Sequence, residues 1–498
     1  MQSVLVTFAP LVAFLVVAVG TYSLFSALRF PTNSLLFPRS LAASFRQRLK
    51  GGLGTLVVVT NIFGTLTSLA TVYVFFIGTS KVFGAFVFAA PLFMALSFIA
   101  TNWFTRRVLT KEPSYRKLLE ESETASGVVA RLVWQPGLDG RVTSWLVKHI
   151  SLLNLAAVIW LEFSVAADLV QQVNTSANEP WLGPLALFIC CFGVVFIIVR
   201  YGLRGFVFAD LFQSPLVIIA TIVILLAVIL NPQVMTALAT APVHLLQPQI
   251  PWQQGVLFVV HVMLLNIFFV LLTEGHWFRL WLFAGRETTN QWRGTFSTGF
   301  IWLLLAIVGC LAVAITTKTG TEGIGPVLLS LAQTHAAFVI LFWIGAAAAV
   351  FSTADAQIYV FLLVRAFETK TGQIHDKVNR PQHPIGLALL VSLLFAAAYA
   401  VTRYYQIPFE KLVFILFPLS LNSLPAFIGI LFDRRHRSIW TLFSLAGYTA
   451  VSIKGLMDPQ NDLLWTLMAA LVPFAVVALM LLLQRAKEPS LKRASHVE

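Results

Sequence analysis

The stretch AVFSTADAQI, residues 349–358, places two hydroxyl side chains and a carboxylate on one turn of an apolar segment. It overlaps the run FVILFWIGAAAAVF, which is apolar enough to lie within a membrane. A charged residue at the centre of a membrane helix costs about 2.5–3.5 kcal/mol on insertion scales. Asp355 is therefore expected to have a partner or a function that offsets this cost.

The composition is that of a helical membrane protein. Of the 498 residues, 58% are hydrophobic and only 11% are charged. The apolar runs are long enough to cross about 30 Å of hydrocarbon, and backbone groups in lipid must bond within their own segment, which favours helices over barrel strands. We predict an all-α polytopic membrane protein with about thirteen transmembrane helices. They lie at residues 4–27, 54–79, 83–104, 149–172, 181–199, 206–230, 253–276, 295–316, 335–363, 384–402, 408–431, 438–455 and 462–484.

The basic residues predict how these helices are oriented. The chain has 34 Lys and Arg against 21 Asp and Glu, a net charge of +13. Almost all the basic residues fall in alternate loops and the C-terminal tail; the five exceptions are Lys81, Lys318, Arg403, Lys411 and Lys454. Because loops rich in Lys and Arg stay in the cytoplasm, the N-terminus is predicted outside and the C-terminus inside. Topology thus explains the charge, and no basic face indicates a nucleic-acid partner.

Other features narrow the class of protein. The longest polar segment, residues 105–148, is predicted to form amphipathic helices on the cytoplasmic surface, where a regulatory or partner protein could bind. No GxxxxGK[ST] loop occurs, which argues against ATP-driven transport. No nucleophile–base pair or metal-ligand spacing indicates an enzyme. The cysteines lie inside apolar runs and are interpreted as packing residues: Cys190, Cys191 and Cys310.

Three motifs together carry a resemblance to a known family. In chain order they are GLRGFVFADLFQ (202–213), EGHWFRLWLFAGRETTNQWRG (274–294) and AAAAVFSTADAQ (346–357). In their order and membrane side they resemble motifs of the sodium:solute symporter family. Asp210 and Arg279 match the family pattern, whereas Tyr201 replaces a glycine and Phe278 a glutamine.

The resemblance implies a LeuT-type core of two inverted five-helix repeats, with binding where the first helix of each repeat unwinds. The repeats would occupy residues 51–231, which include segment 105–148, and 252–431. An extra helix and loop (1–50) would precede them, and two helices with a short tail (432–498) would follow. The resemblance also implies a sodium site of hydroxyl and backbone oxygens at Gly64, Thr67, Ala349, Ser352 and Thr353. The residues alone leave open that both hydroxyls bond back to their own helix.

Several buried polar residues are further candidates. Asp210 and Asp355 are interpreted as groups on the ion route, with a helix-end charge as the alternative for Asp355. Glu162 lies in the middle of an apolar span, so we predict that it contacts the solute or a proton, with a structural acid as the alternative. The remaining solute or proton candidates are Thr273, Glu274 and Asn422.

The few polar groups in spans two, seven and eleven disfavour a sugar, which needs many hydrogen-bond partners. A small amino-acid-like, carboxylate or cationic solute is favoured instead. The expected function is sodium-coupled symport of a small organic solute across a plasma membrane, namely the inner membrane of a bacterium. A proton is the alternative coupling ion. The alternative function is a transport-inactive or weakly transporting membrane sensor or partner subunit on the same fold.

Overall fold

The computed structural model describes residues 2–27, 52–73, 79–111, 128–173, 181–240, 242–283, 286–319, 324–374, 384–405, 409–432, 436–458 and 461–494. Its α-helices in the first half of the chain are α1 (Gln2–Ala27), α2 (Gly52–Leu66), α3 (Leu69–Tyr73), α4 (Ser80–Phe83), α5 (Ala89–Lys111), α6 (Val129–Leu132), α7 (Leu138–Val173), α8 (Leu182–Tyr201), α9 (Leu203–Ile229) and α10 (Pro232–Thr240). Those in the second half are α11 (Trp252–Leu272), α12 (Glu274–Leu282), α13 (Arg286–Thr319), α14 (Ile324–Ala366), α15 (Pro384–Tyr404), α16 (Phe409–Leu416), α17 (Leu424–Leu431), α18 (Arg437–Met457) and α19 (Asp462–Ala494).

Short elements complete the described chain. Three 3₁₀ segments occur, at Gly84–Phe88, Pro242–Leu246 and Phe417–Ser423. The strands Phe367–Glu368 and Gln373–Ile374 pair antiparallel in a small hairpin just after α14.

Eleven helices in the described part of the chain are long and apolar enough to cross a membrane. They lie at eleven of the thirteen predicted spans. The second predicted span is occupied by two shorter helices, α2 and α3, although its last residues, 74–78, lie outside the described chain. The twelfth is occupied by α18. The protein is therefore an all-α, multi-pass membrane protein, while the count of thirteen spans and the orientation of the termini stay predictions.

The helices that were expected to unwind are both interrupted. Thr67 and Ser68, which are not helical, separate α2 from α3. Thr273 separates α11 from α12 and has an extended backbone (φ −74°, ψ 124°). An interruption releases backbone groups from the i→i−4 bonding of a continuous helix and turns helix ends toward the middle of the bundle. The two breaks therefore supply polar backbone groups inside an apolar protein.

Segment 105–148 differs from its prediction. Residues 105–111 complete α5, and 112–127 lie outside the described residues. The prediction of surface helices is wrong for α6, because this helix is buried. The Val129 N–H donates to Glu274 Oε2 (2.6 Å), and the Ser144 hydroxyl donates to the Ala130 carbonyl (2.7 Å). These two bonds fix α6 against α12 and α7.

The central helix is α14, which packs against α1, α7 and α9. Small residues allow its neighbours to come close. A Cβ at Gly345 would collide with the Ala220 methyl of α9, so only glycine fits at this crossing. This close packing brings the polar turn of α14 into contact with α2 and α9.

Candidate ion and solute site

Thr353 connects α14 with the break after α2. Its hydroxyl lies 3.1 Å from the Gly64 carbonyl oxygen and 3.3 Å from the Thr67 carbonyl oxygen. In a continuous helix the Thr67 carbonyl would accept the N–H of Thr71. That N–H instead donates to the Ser68 hydroxyl (3.0 Å). The break thus turns backbone oxygens toward a hydroxyl on another helix.

Ser352 reaches a different helix from its neighbour. Its hydroxyl donates to Asp210 Oδ1 on α9. The other carboxylate oxygen of Asp210 accepts from Asn61 Nδ2 on α2 (2.7 Å). All three side chains are almost completely buried. Neither hydroxyl, Ser352 or Thr353, uses its described hydrogen bonds to bond back to its own helix.

Arg279 of α12 completes a polar cluster around Asn61. Its Nε donates to Asn61 Oδ1 (2.6 Å), and another guanidinium nitrogen donates to the Asn61 carbonyl (3.1 Å) and to the Thr65 hydroxyl. The Asn61 amide therefore lies between a buried cation and the buried Asp210 carboxylate. Hydrogen bonds to charged groups are stronger than neutral ones. This cluster holds α2, α9, α12 and α14 together on one side of the break.

Gly64 allows this contact to form. A Cβ at this position would collide with the Ser352 hydroxyl and the Asp210 carboxylate. Glycine is thus required because two side chains from other helices lie against the backbone of α2.

The other predicted ion residues lie on adjacent turns of α14. Ala349 is buried one turn before Ser352. Asp355 is buried and close enough to Asp210 for their charges to interact. Since α14 continues to Ala366, Asp355 lies within the helix and is not a helix-end charge. Two carboxylates and one guanidinium therefore share this buried region.

Glu162 of α7 lies on the other side of the break. Its Oε2 accepts from the N–H groups of Leu69 (2.9 Å) and Ala70 (3.4 Å), the first residues of α3. Its Oε1 is buried and has no hydrogen-bond partner in the described chain. One carboxyl oxygen of Glu162 thus caps the N-terminus of α3, and the other has no described hydrogen bond.

The remaining candidates do not join Glu162. The Thr273 hydroxyl bonds back to the Phe269 carbonyl (2.6 Å), and Glu274 accepts the N–H of Val129. Asn422 donates to the Leu419 carbonyl (3.0 Å) and accepts from the Ser444 hydroxyl (2.8 Å). In the described hydrogen bonds these three residues fix local structure, and none contacts the break in α2.

A cavity lies above the break, in the half of the bundle that is predicted to face outside. Its volume is about 90 Å³. This is below the usual range of about 300–1,000 Å³ for small-molecule sites, so a bound solute requires the surrounding helices to move apart. Thr71 of α3 lines it, and four aromatic rings and two polar side chains form much of the wall: Phe258, Trp302, Phe414, Phe417, His261 and Asn266.

Sequence reasoning missed Asn61, Thr65 and the cavity residues. Asn61 stands one turn before Gly64 in an apolar run, and this isolated amide was the available signal. His261 and Asn266 stand in the same way in the run that becomes α11. The four rings of the cavity gave no signal, because the chain contains 42 Phe and 13 Trp.

Two solved structures have a similar fold. One is a Na⁺-coupled sialic acid symporter in a substrate-bound, outward-open state, with a TM-score of 0.57 and 12% identity over 97% of this chain and 98% of that chain. The other is MhsT in complex with L-phenylalanine, with a TM-score of 0.50 and 14% identity over 87% of this chain and 98% of that chain. No family model and no curated protein sequence matches the chain.

At such identities the likeness shows the fold alone. The chain has the LeuT-type fold of these structures, as a divergent example, and the prediction of that fold is confirmed. The boundaries of the two repeats stay predictions.

Proposed function

We propose that the protein is a sodium-coupled secondary active symporter of a small organic solute. It works by alternating access in a plasma membrane, namely the inner membrane of a bacterium. The observation that carries this proposal is the contact of the Thr353 hydroxyl with the Gly64 and Thr67 carbonyl oxygens. Sodium prefers hard oxygen ligands, and three of them converge here from two helices. Na⁺ is the proposed coupling ion and is itself transported, and H⁺ is the alternative.

The location of these oxygens suggests how binding could be coupled to transport. The break belongs to the first predicted repeat and α14 to the second. An ion held between Gly64, Thr67 and Thr353, with Ser352 and Ala349 as further oxygen donors, would stabilise whichever state brings the two helices together. It can shift the equilibrium only by the difference in its affinity for the two states.

Asp210 and Asp355 fit an ion route beside this site. Both carboxylates are buried on the α14 side of the break, and Arg279 lies in the same cluster. Their carboxyl oxygens are hard ligands of the kind that hard cations prefer. We propose that Na⁺ passes these acids when it leaves the site.

Sodium-driven uptake tests the proposal. Proteoliposomes containing the purified protein are expected to accumulate one class among amines, carboxylates and neutral solutes under an inward Na⁺ gradient, and not under an equal K⁺ gradient. Thr353→Val, which keeps the side-chain shape but removes the hydroxyl, should lower Na⁺-driven uptake at least about tenfold at limiting Na⁺.

Thr298→Val is the matched control, because the Thr298 hydroxyl bonds only within α13, to the Gly294 carbonyl (2.9 Å). It should transport like the parent. Uptake that is equal in Na⁺ and K⁺, or absent for every solute class, would contradict symport and favour the sensor or partner-subunit function.

A further inference from the structure

The cavity has a wall suited to a positively charged group. Four aromatic rings line it, and the imidazole of His261 packs against the Phe414 ring with the ring centres 6.0 Å apart. The faces of such rings attract cations, most strongly where water is excluded. None of the described residues that line the cavity is Lys, Arg, Asp or Glu. The wall thus offers electron-rich faces and no cation to bind a carboxylate.

Two polar side chains of this wall carry a possible acceptor, beside the indole N–H donor of Trp302. Asn266 uses its amide nitrogen for the Val262 carbonyl (2.8 Å) and the Ala90 carbonyl (3.5 Å), which leaves its oxygen. The Nδ1 of His261 is buried and has no hydrogen-bond partner in the described chain. In the neutral tautomer with the proton on Nε2, this nitrogen is an acceptor. A solute here can donate hydrogen bonds to both side chains.

Two backbone donors at the break are already used. The N–H groups of Leu69 and Ala70 both donate to Glu162. The neighbouring Ser68 hydroxyl contacts the hydroxyl of the cavity residue Thr71 (2.8 Å). A carboxyl group of the chain itself therefore occupies the donors at the break that could otherwise hold an anionic solute.

From these contacts we infer that the solute is an organic cation: a protonated amine with an apolar body, bound among the aromatic rings with its N–H groups directed to acceptors such as His261. This inference rests on the proposed function and names the solute class of that transporter. It excludes solutes that are recognised chiefly through a carboxylate.

Three probes of the same shape test the charge preference: phenethylammonium, 2-phenylethanol and phenylacetate. Each is titrated into the purified protein in NaCl at pH 7, and binding is followed by calorimetry. Phenethylammonium is expected to bind at least about tenfold tighter than the alcohol, and phenylacetate not to bind. Trp302→Leu and Phe414→Leu should each lower the affinity for the amine several-fold while the alcohol changes less. Trp103→Leu is the matched control, because Trp103 is exposed and lies outside the cavity.

The outcomes separate the two proposals. Equal binding of amine and alcohol, preference for phenylacetate, or no binding of the amine at millimolar concentration would overturn the cation inference. If a Na⁺ gradient still drives uptake of another solute class in those cases, the symporter proposal stands. If the amine binds in a manner sensitive to Trp302→Leu but Na⁺ has no effect on uptake, the solute class stands and sodium coupling fails.

Discussion

Replacing Arg279 by leucine is expected to lower the free energy of unfolding by about 3–5 kcal/mol, because it leaves a buried carboxylate cluster without its cation. The guanidinium loses three hydrogen-bond partners on α2: the Asn61 side chain, the Asn61 carbonyl and the Thr65 hydroxyl. Asn61 then holds Asp210 with one end only. Equilibrium unfolding in mixed detergent and SDS micelles measures the change.

A second charge change makes this prediction specific to the cluster. Combining Arg279→Leu with Asp210→Asn should recover about 0.5–3 kcal/mol, since the acid left without its cation is then neutral. Arg107→Leu is the control, because Arg107 is exposed, and it should change stability by about 0.5 kcal/mol or less. A double variant that is less stable by the sum of its single effects would show that Arg279 and Asp210 are energetically independent.

Gly64→Ala is expected to cost about 1–3 kcal/mol of stability, the usual price of forcing an extra methyl into a packed interior. The added Cβ collides with the Ser352 hydroxyl and the Asp210 carboxylate, so α14 has to move away from α2. Because the Gly64 and Thr67 carbonyls face Thr353 across the same gap, Na⁺ affinity should fall in the same variant.

Gly20→Ala is the matched control for this substitution. A Cβ at Gly20 meets only the Phe212 ring, at 3.9 Å, which is ordinary contact. Alanine should be neutral there or stabilise the helix by up to about 1 kcal/mol. Gly64→Ala with unchanged stability and unchanged Na⁺ binding would mean that α2 and α14 do not depend on this close approach.

Hydropathy predicted most of the helices because each apolar run is long and the loops between them are charged. It placed the start of the fourth span at residue 149, whereas α7 begins at Leu138. Its first turns are polar, and a hydropathy signal cannot distinguish a helix that leaves the membrane from a loop. The breaks at Thr67 and Thr273 contain no proline, so the local sequence gave little sign of them. Their approximate positions came from the family resemblance.

The site was predictable only where a motif identified it. Ser352 and Asp210 were each candidates, but nothing in the sequence indicated that they bond to each other. Asn61 became important only when α12 placed Arg279 against it. Glu162 was expected to contact solute or a proton, and the structure adds that its carboxylate caps α3. Such pairings depend on tertiary packing between residues far apart in the chain, which periodicity and composition do not contain.

Equilibrium binding of ²²Na⁺ to the purified protein tests most directly whether a sodium ion binds between α2 and α14. The parent protein and Thr298→Val should bind Na⁺ saturably, with K⁺ a poor competitor. Thr353→Val should bind it at least about tenfold more weakly, because one of the oxygens at the break is gone. Saturable binding that is unchanged in Thr353→Val, or no Na⁺-selective binding by the parent, would contradict a sodium site at this break.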